Sequence, residues 1–163
     1  MIRLVALVGL ALALSAPARA LAPGEVAPAL GLPTADGATV SLESLRGKLV
    51  YVDFWASWCG PCKRSFPWMA EMQRRYGERG FAVVAVNVDK KRADAERFLG
   101  VTPAAFTVVF DESGRTPAAW DVKSMPSSYL VDPAGRVLLV ETGFRDDRKD
   151  DVEARIREAL PRR

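Results

Sequence analysis

From Lys48 to Trp55 the chain reads KLVYVDFW, apolar almost throughout and rich in β-branched and aromatic residues, with Asp53 as its one acid. Such a run predicts a strand buried on both faces. Phe81 to Val88 (FAVVAVNV) predicts a second one. Between them the period changes. Phe66, Met69, Gln73 and Tyr76 recur at helical spacing, giving one mostly apolar stripe, and Gly77 and Gly80 supply the stop. Pro67 lies inside this helix and is expected to kink it without ending it. Downstream, Lys91 to Leu99 predicts a short charged helix stopped by Gly100, and Phe106 to Phe110 a short apolar strand. A polar turn at 111–114 and a helical turn reaching Trp120 follow. Tyr129 to Val131 and Val137 to Val140 flank Asp132-Pro133-Ala134-Gly135, the pattern of an antiparallel hairpin. Arg145 to Leu160 closes the chain as an amphipathic helix, with Val152, Ile156, Ala159 and Leu160 on one face. Ahead of all this, Leu30 to Leu42 carries an Ala-Asp-Gly turn between short apolar stretches and predicts a leading hairpin. A β-α-β unit followed by a hairpin and a helix implies an α/β fold, a mixed central sheet with helices on both faces.

Composition sets the scale. With 163 residues, 49% hydrophobic and 26% charged, the chain is of a size that normally makes one domain. The first twenty residues stand apart from it. Arg3 gives a positive start, Leu4 to Leu14 an apolar run, and Ala18-Arg19-Ala20 a small-x-small cleavage site. Residues 1–20 therefore read as a secretory signal peptide and 21–163 as the domain. That apolar run is shorter than the roughly 18 residues that span a bilayer, so no stable membrane anchor is expected. Removing Arg3 and Arg19 leaves 21 basic against 20 acidic residues, a net charge of +1. No nucleic-acid function is expected from that balance.

The chemistry is concentrated in WASWCGPC, residues 55–62, which hold both cysteines of the chain. An exported protein meets conditions in which a disulfide persists. As a structural staple the pair is badly placed, because Cys59 and Cys62 enclose almost no chain and would restrict the unfolded state little. A metal site is the other rival. Zinc and iron–sulfur centres need about four Cys or His ligands, and the chain has two cysteines and no histidine, so no metal is expected. Reactivity suits the spacing better: residues three apart on a first helical turn share a face at disulfide-bonding distance. With Gly60-Pro61 opening the helix, Cys59 falls at its N-terminus. There unpaired N–H groups and the positive dipole end favour a thiolate.

A strand ending VDFWASWCGPCK, a downstream Met-Pro before a hairpin and a helical insert between them resemble the thioredoxin superfamily. More narrowly, the chain resembles the exported TlpA/ResA-type thiol–disulfide oxidoreductases, from about Ala27 to Leu160, with an N-terminal hairpin and a central helical insert from about Asp89 to Trp120. The resemblance implies that Cys59 is the attacking cysteine and Cys62 the resolving one, spaced by Gly60 and Pro61. It implies that Pro126 is a cis-proline facing the dithiol and that the backbone of Met125 pairs with an extended substrate segment. Trp58, and less distinctly Trp55, would wall the site with apolar surface. No cofactor is implied beyond the redox-active Cys59–Cys62 disulfide itself.

Two positions depart from the TlpA/ResA pattern. Those proteins typically carry Asn in the strand and Glu three residues after the second cysteine, where this chain has Asp53 and Ser65. Asp53 matches instead the buried aspartate of thioredoxin, a carboxyl that exchanges a proton with the resolving cysteine. The lysine near that aspartate is replaced by Ala85, so desolvation should raise the Asp53 pKa. The resemblance implies a periplasmic reductase of protein disulfides, recharged by a membrane thiol-electron donor, with cytochrome c maturation as a candidate pathway. A disulfide oxidase or isomerase would share these residues, and a non-catalytic thiol-docking module would share the dithiol without turnover.

Overall fold

The computed structural model describes residues 21–161, and the expected signal peptide lies outside them. Five strands form the central sheet: Leu49–Trp55 (β3), Phe81–Asn87 (β4), Thr107–Phe110 (β5), Ser127–Val131 (β6) and Val137–Thr142 (β7). Their order is β5-β4-β3-β6-β7. The β3–β4 and β4–β5 pairs are parallel, and β6 runs antiparallel to both β3 and β7. Every residue of β3 is buried, which follows from its central place and explains why KLVYVDFW shows no polar alternation. The leading hairpin is present as Gly31–Pro33 (β1) against Thr39–Ser41 (β2), a separate small sheet.

Side chains alternate across the sheet, and each face has its own core. Leu49, Tyr51 and Trp55 point to the face covered by Gly60–Tyr76 (α1), Arg92–Val101 (α2) and Lys149–Ala159 (α4), whose Phe66, Met69, Phe98, Val152 and Ile156 share one buried cluster. Val50, Val52 and Phe54 point to the other face. There Leu30 and Leu42 from the leading hairpin join Trp120, which follows the short helix Arg115–Ala119 (α3), and Tyr129. The two covers are unequal: three helices on one side, a hairpin and one short helix on the other.

Two boundaries differ from the sequence pattern for physical reasons. Gly100 does not stop α2, which continues to Val101. The stop is Pro103, whose ring drives the preceding Thr102 out of helical geometry to φ −133°. The last helix begins later than Arg145: a 3-10 turn at Asp146–Arg148 precedes α4, and it follows Gly143 at φ +78°. Between β4 and β6 the expected short strand is present as β5, which extends the sheet. Pro67 is accommodated inside α1, which runs unbroken from Gly60 to Tyr76.

Candidate active site

The central strand delivers the dithiol. Beyond Trp55 the chain leaves β3 through Ala56–Trp58, and Cys59 becomes the N-cap of α1 in an extended conformation, φ −87° and ψ 105°. Pro61 sits in the first turn, where its missing N–H costs nothing and its fixed φ suits the helix. Cys59 and Cys62 form a disulfide with Cα atoms 5.3 Å apart. The Cys59 sulfur accepts the backbone N–H of Cys62 at 3.2 Å. That donor and the helix N-terminus both favour negative charge on Cys59 once the bond is reduced. Cys62 is fully buried and Cys59 is 5% exposed, so the pair is asymmetric. A Cβ placed on Gly60 would meet nothing within 4 Å, so the turn between the two cysteines borders open space.

The two tryptophans of the motif separate. Trp58 is 73% exposed beside Cys59, on the solvent side of the loop. Trp55 is fully buried and packs edge-to-face on Phe66 and at a tilt on Phe98, each at 4.9 Å, which makes it a core residue under the site. The Met125–Pro126 peptide is cis. Pro126 directly precedes Ser127, which pairs with Phe54, so it lies at the dithiol end of the sheet. Its carbonyl accepts the Gly143 N–H at 2.8 Å, and Met125 packs against the cluster that contains both cysteines.

Asp53 is buried on the α1 side of the sheet, the parity it shares with Tyr51 and Trp55. Directly across on β6, the Ser128 hydroxyl donates to Oδ1 at 2.7 Å, while Oδ2 has no partner. On the other flank the partner in register is Ala85, which brings no charge. Burial therefore pushes the Asp53 carboxyl up to about 7, with the Ser128 hydrogen bond acting in the opposite direction. Ser65 is buried as well, but its hydroxyl turns back to the Cys62 carbonyl at 2.9 Å and supplies no acid–base group.

Sequence reasoning missed the neighbours that hold these groups. Asp89 is buried, and its carboxylate accepts from the Ser57 N–H at 2.9 Å, the Ser57 hydroxyl at 3.0 Å and the Asn87 amide at 2.8 Å. This fixes the loop that presents Trp58 and Cys59. The signal was the polar Asn87 at the end of an apolar strand, followed two residues later by an acid. Ser128 was missed because its partner is set by antiparallel register, which depends on where the hairpin turns. Among the described residues no group of three or more His, Cys, Asp or Glu is placed to hold a metal ion.

A disulfide at the tip of a helix, opened from the central strand and backed by a buried carboxyl, is the arrangement of thioredoxin-like thiol–disulfide oxidoreductases. The chain belongs to the Redoxin family, whose sequence profile matches residues 22–156. Within that family it is a thiol–disulfide oxidoreductase of the ResA type. It is 36% identical to the thiol–disulfide oxidoreductase ResA of Bacillus subtilis over 74% of this chain and 67% of that one. A Chlorobium tepidum protein assigned as the thiol:disulfide interchange protein DsbE is 51% identical, with a TM-score of 0.84 over 87% of this chain and 100% of that chain. The exposed lipoprotein thioredoxin Etrx1 of Streptococcus pneumoniae is 28% identical, with a TM-score of 0.71 over 80% and 99% of the two chains.

Proposed function

We propose that this oxidoreductase works in the periplasm as a reductant of protein disulfides, using Cys59 as nucleophile and Cys62 as resolving thiol. The observation that carries the assignment is the asymmetry of the pair: the Cys59 sulfur, slightly exposed, caps the helix and accepts the Cys62 N–H, while Cys62 is fully buried. In the reduced enzyme the Cys59 thiolate attacks one sulfur of the substrate disulfide. A Cys59–substrate bond forms, and the other substrate sulfur leaves as a thiolate. Cys62 then gives its proton to Asp53 and attacks the Cys59 sulfur. The mixed disulfide breaks, the second substrate sulfur leaves, and two electrons have passed to the substrate. Trp58, Met125 and the Pro126 edge are the surfaces against which an extended segment carrying the disulfide would lie.

The Gly60-Pro61 spacer, as in thioredoxin, supports the reducing direction. The leader-like residues 1–20 support export, as does a structural relative described as an exposed lipoprotein. Among the described residues no helix is long and apolar enough to cross a membrane. In an oxidising compartment the enzyme must be recharged, so a membrane thiol donor and substrates such as apocytochrome c cysteines complete the reading. The test is the Cys59–Cys62 reduction potential against glutathione, together with trapping in Cys62→Ser. A potential near that of thioredoxin, about −270 mV, with extracytoplasmic proteins captured on Cys59, is the expected result. A potential near that of DsbA, about −120 mV, would make it an oxidase instead. No captured partner and no turnover would leave only a docking module.

A further inference from the structure

Asp53 is enclosed on the side where the chemistry happens. On the same face of the sheet lie Trp55 and Cys62, both fully buried, with the apolar Phe66, Met69 and Met72 of α1. Re-reduction can hand the proton back to Cys62, but in the oxidised enzyme a carboxyl raised to about 7 also exchanges its proton with solvent, and these neighbours offer no path.

A polar path exists in another direction, along the sheet. Ser128 donates to Asp53, and Tyr51, two residues back on β3, shares the Asp53 face of the sheet diagonal to Ser128, whose hydroxyl acts on the Tyr51 hydroxyl. Tyr51 in turn lines a surface cleft with Trp68, Glu141, Gly143, Arg148 and Lys149. Its ring is held edge-on to Trp68 at 5.6 Å. Glu141 is the β7 residue in register with Ser128, so Asp53, Ser128 and Glu141 lie in one row across three strands. We propose that Ser128 and Tyr51 form the route by which Asp53 exchanges its proton with solvent, opening at the cleft beside Glu141.

The relay conserves charge. Once Asp53 is protonated the Ser128 hydroxyl turns from it toward Tyr51: the Asp53 proton passes to the Ser128 oxygen, the Ser128 proton to the Tyr51 oxygen, and the Tyr51 proton to water in the cleft. Both hydroxyls end neutral, and one proton has moved. Burial and then the Asp53 charge raise the Tyr51 pKa well above its ordinary value, so Tyr51 hands a proton on without accumulating as an anion. Other groups facing the path are Ala85 on β4, which cannot titrate, and the cleft cations Arg145, Arg148 and Lys149. Each cation is already paired, Arg145 with Asp147, Arg148 with Glu141 and Asp151, and Lys149 with Asp146.

This rests on Asp53 being the proton acceptor of Cys62, and the test separates the two. In the oxidised full-domain protein, a pH jump across neutrality is followed by the infrared band of the protonated Asp53 carboxyl. Tyr51→Phe keeps the ring on Trp68 and removes only the hydroxyl. It should slow the relaxation by about tenfold and leave the first attack by Cys59 unchanged. Ser128→Ala, the second variant, should slow the relaxation too and also move the band's midpoint upward. Wild-type relaxation in both variants overturns the route; if Asp53→Asn still slows mixed-disulfide release, the role of Asp53 stands without it. A slowed first attack by Cys59 in Tyr51→Phe also overturns it, as a structural effect. If no carboxyl band titrates near pH 7 and Asp53→Asn releases substrate at the normal rate, both readings fall.

Discussion

Two buried carboxyls flank the same loop, and they are partnered in opposite ways. Asp89 accepts three hydrogen bonds, two of them from Ser57, and its own N–H donates to Asn87. Asp53 has one donor, Ser128, and an oxygen with none. Burial alone does not decide what an acid does; the number of donors turned toward it does. A carboxylate surrounded by donors becomes a fixed anchor, and here it holds the backbone that aims Trp58 and Cys59. A carboxylate left short of donors is costly to ionise, and its proton becomes available to chemistry.

The sharpest way to break this comparison is stability against pH. The Asp53 pKa is raised from 3.8 to about 7, so its ionisation is penalised in the folded protein. The penalty is absent below about pH 4, grows between about pH 4 and 7, and is complete above that, on the order of 4 kcal/mol. Asp53→Asn should therefore stabilise the oxidised protein at pH 8 and give little at pH 4, by chemical denaturation at both. An equal gain at both pH values would mean that Asp53 carries no such penalty. Asp89→Ala should move the other way, losing about 3 kcal/mol at pH 7, because the buried Asn87 amide and the half-buried Ser57 N–H and hydroxyl lose their acceptor. A loss under 1 kcal/mol by the same method would show that Asp89 is not an anchor.

Kinetics sharpens the same contrast at a somewhat smaller scale. Asp53→Asn should slow release of the mixed disulfide about 100-fold above neutral pH with the first attack largely intact. Asp89→Ala should slow the first attack instead, as stopped-flow traces with a disulfide substrate would separate. The smallest effect belongs to Ser65→Ala. It removes one neutral hydrogen bond to the Cys62 carbonyl, should cost about 1 kcal/mol, and should leave the resolution rate alone. A large rate change there would place an acid–base role on the α1 wall after all.

How much of this could be read from the sequence depended on range. KLVYVDFW, FAVVAVNV and the stripe of α1 are local patterns, and each became an element within a residue or two of its expected ends. The dithiol was legible because four consecutive residues carry it. Asp53 stood out as the lone acid in an apolar strand, and Ala85 beside it made the raised pKa foreseeable. Ser128, Asn87 and Asp89 were not legible, since their meaning comes from register between strands and from a loop folding back on a strand end. Gly100 misled because a glycine near a helix end looks like a stop, while the constraint that ends α2 is Pro103 acting on Thr102.

The first described residues have a consequence for how the enzyme can be held. Gly24 and Ala27 donate backbone N–H groups to the carbonyls of Val137 and Gly135 at 2.8 and 2.9 Å, and Val137 donates back to Glu25. These contacts lie at the Leu49 end of β3, and the dithiol lies beyond Trp55, seven residues or roughly 20 Å along the strand. The polypeptide thus joins the domain at the pole opposite its reactive one. A leash attached upstream, retained leader or artificial linker alike, would leave the business end facing outward. Tethering the domain through residue 21 to a bead or a vesicle should cost it little access to large protein substrates, while tethering through α2 or the loop after α3 would turn the dithiol toward the support.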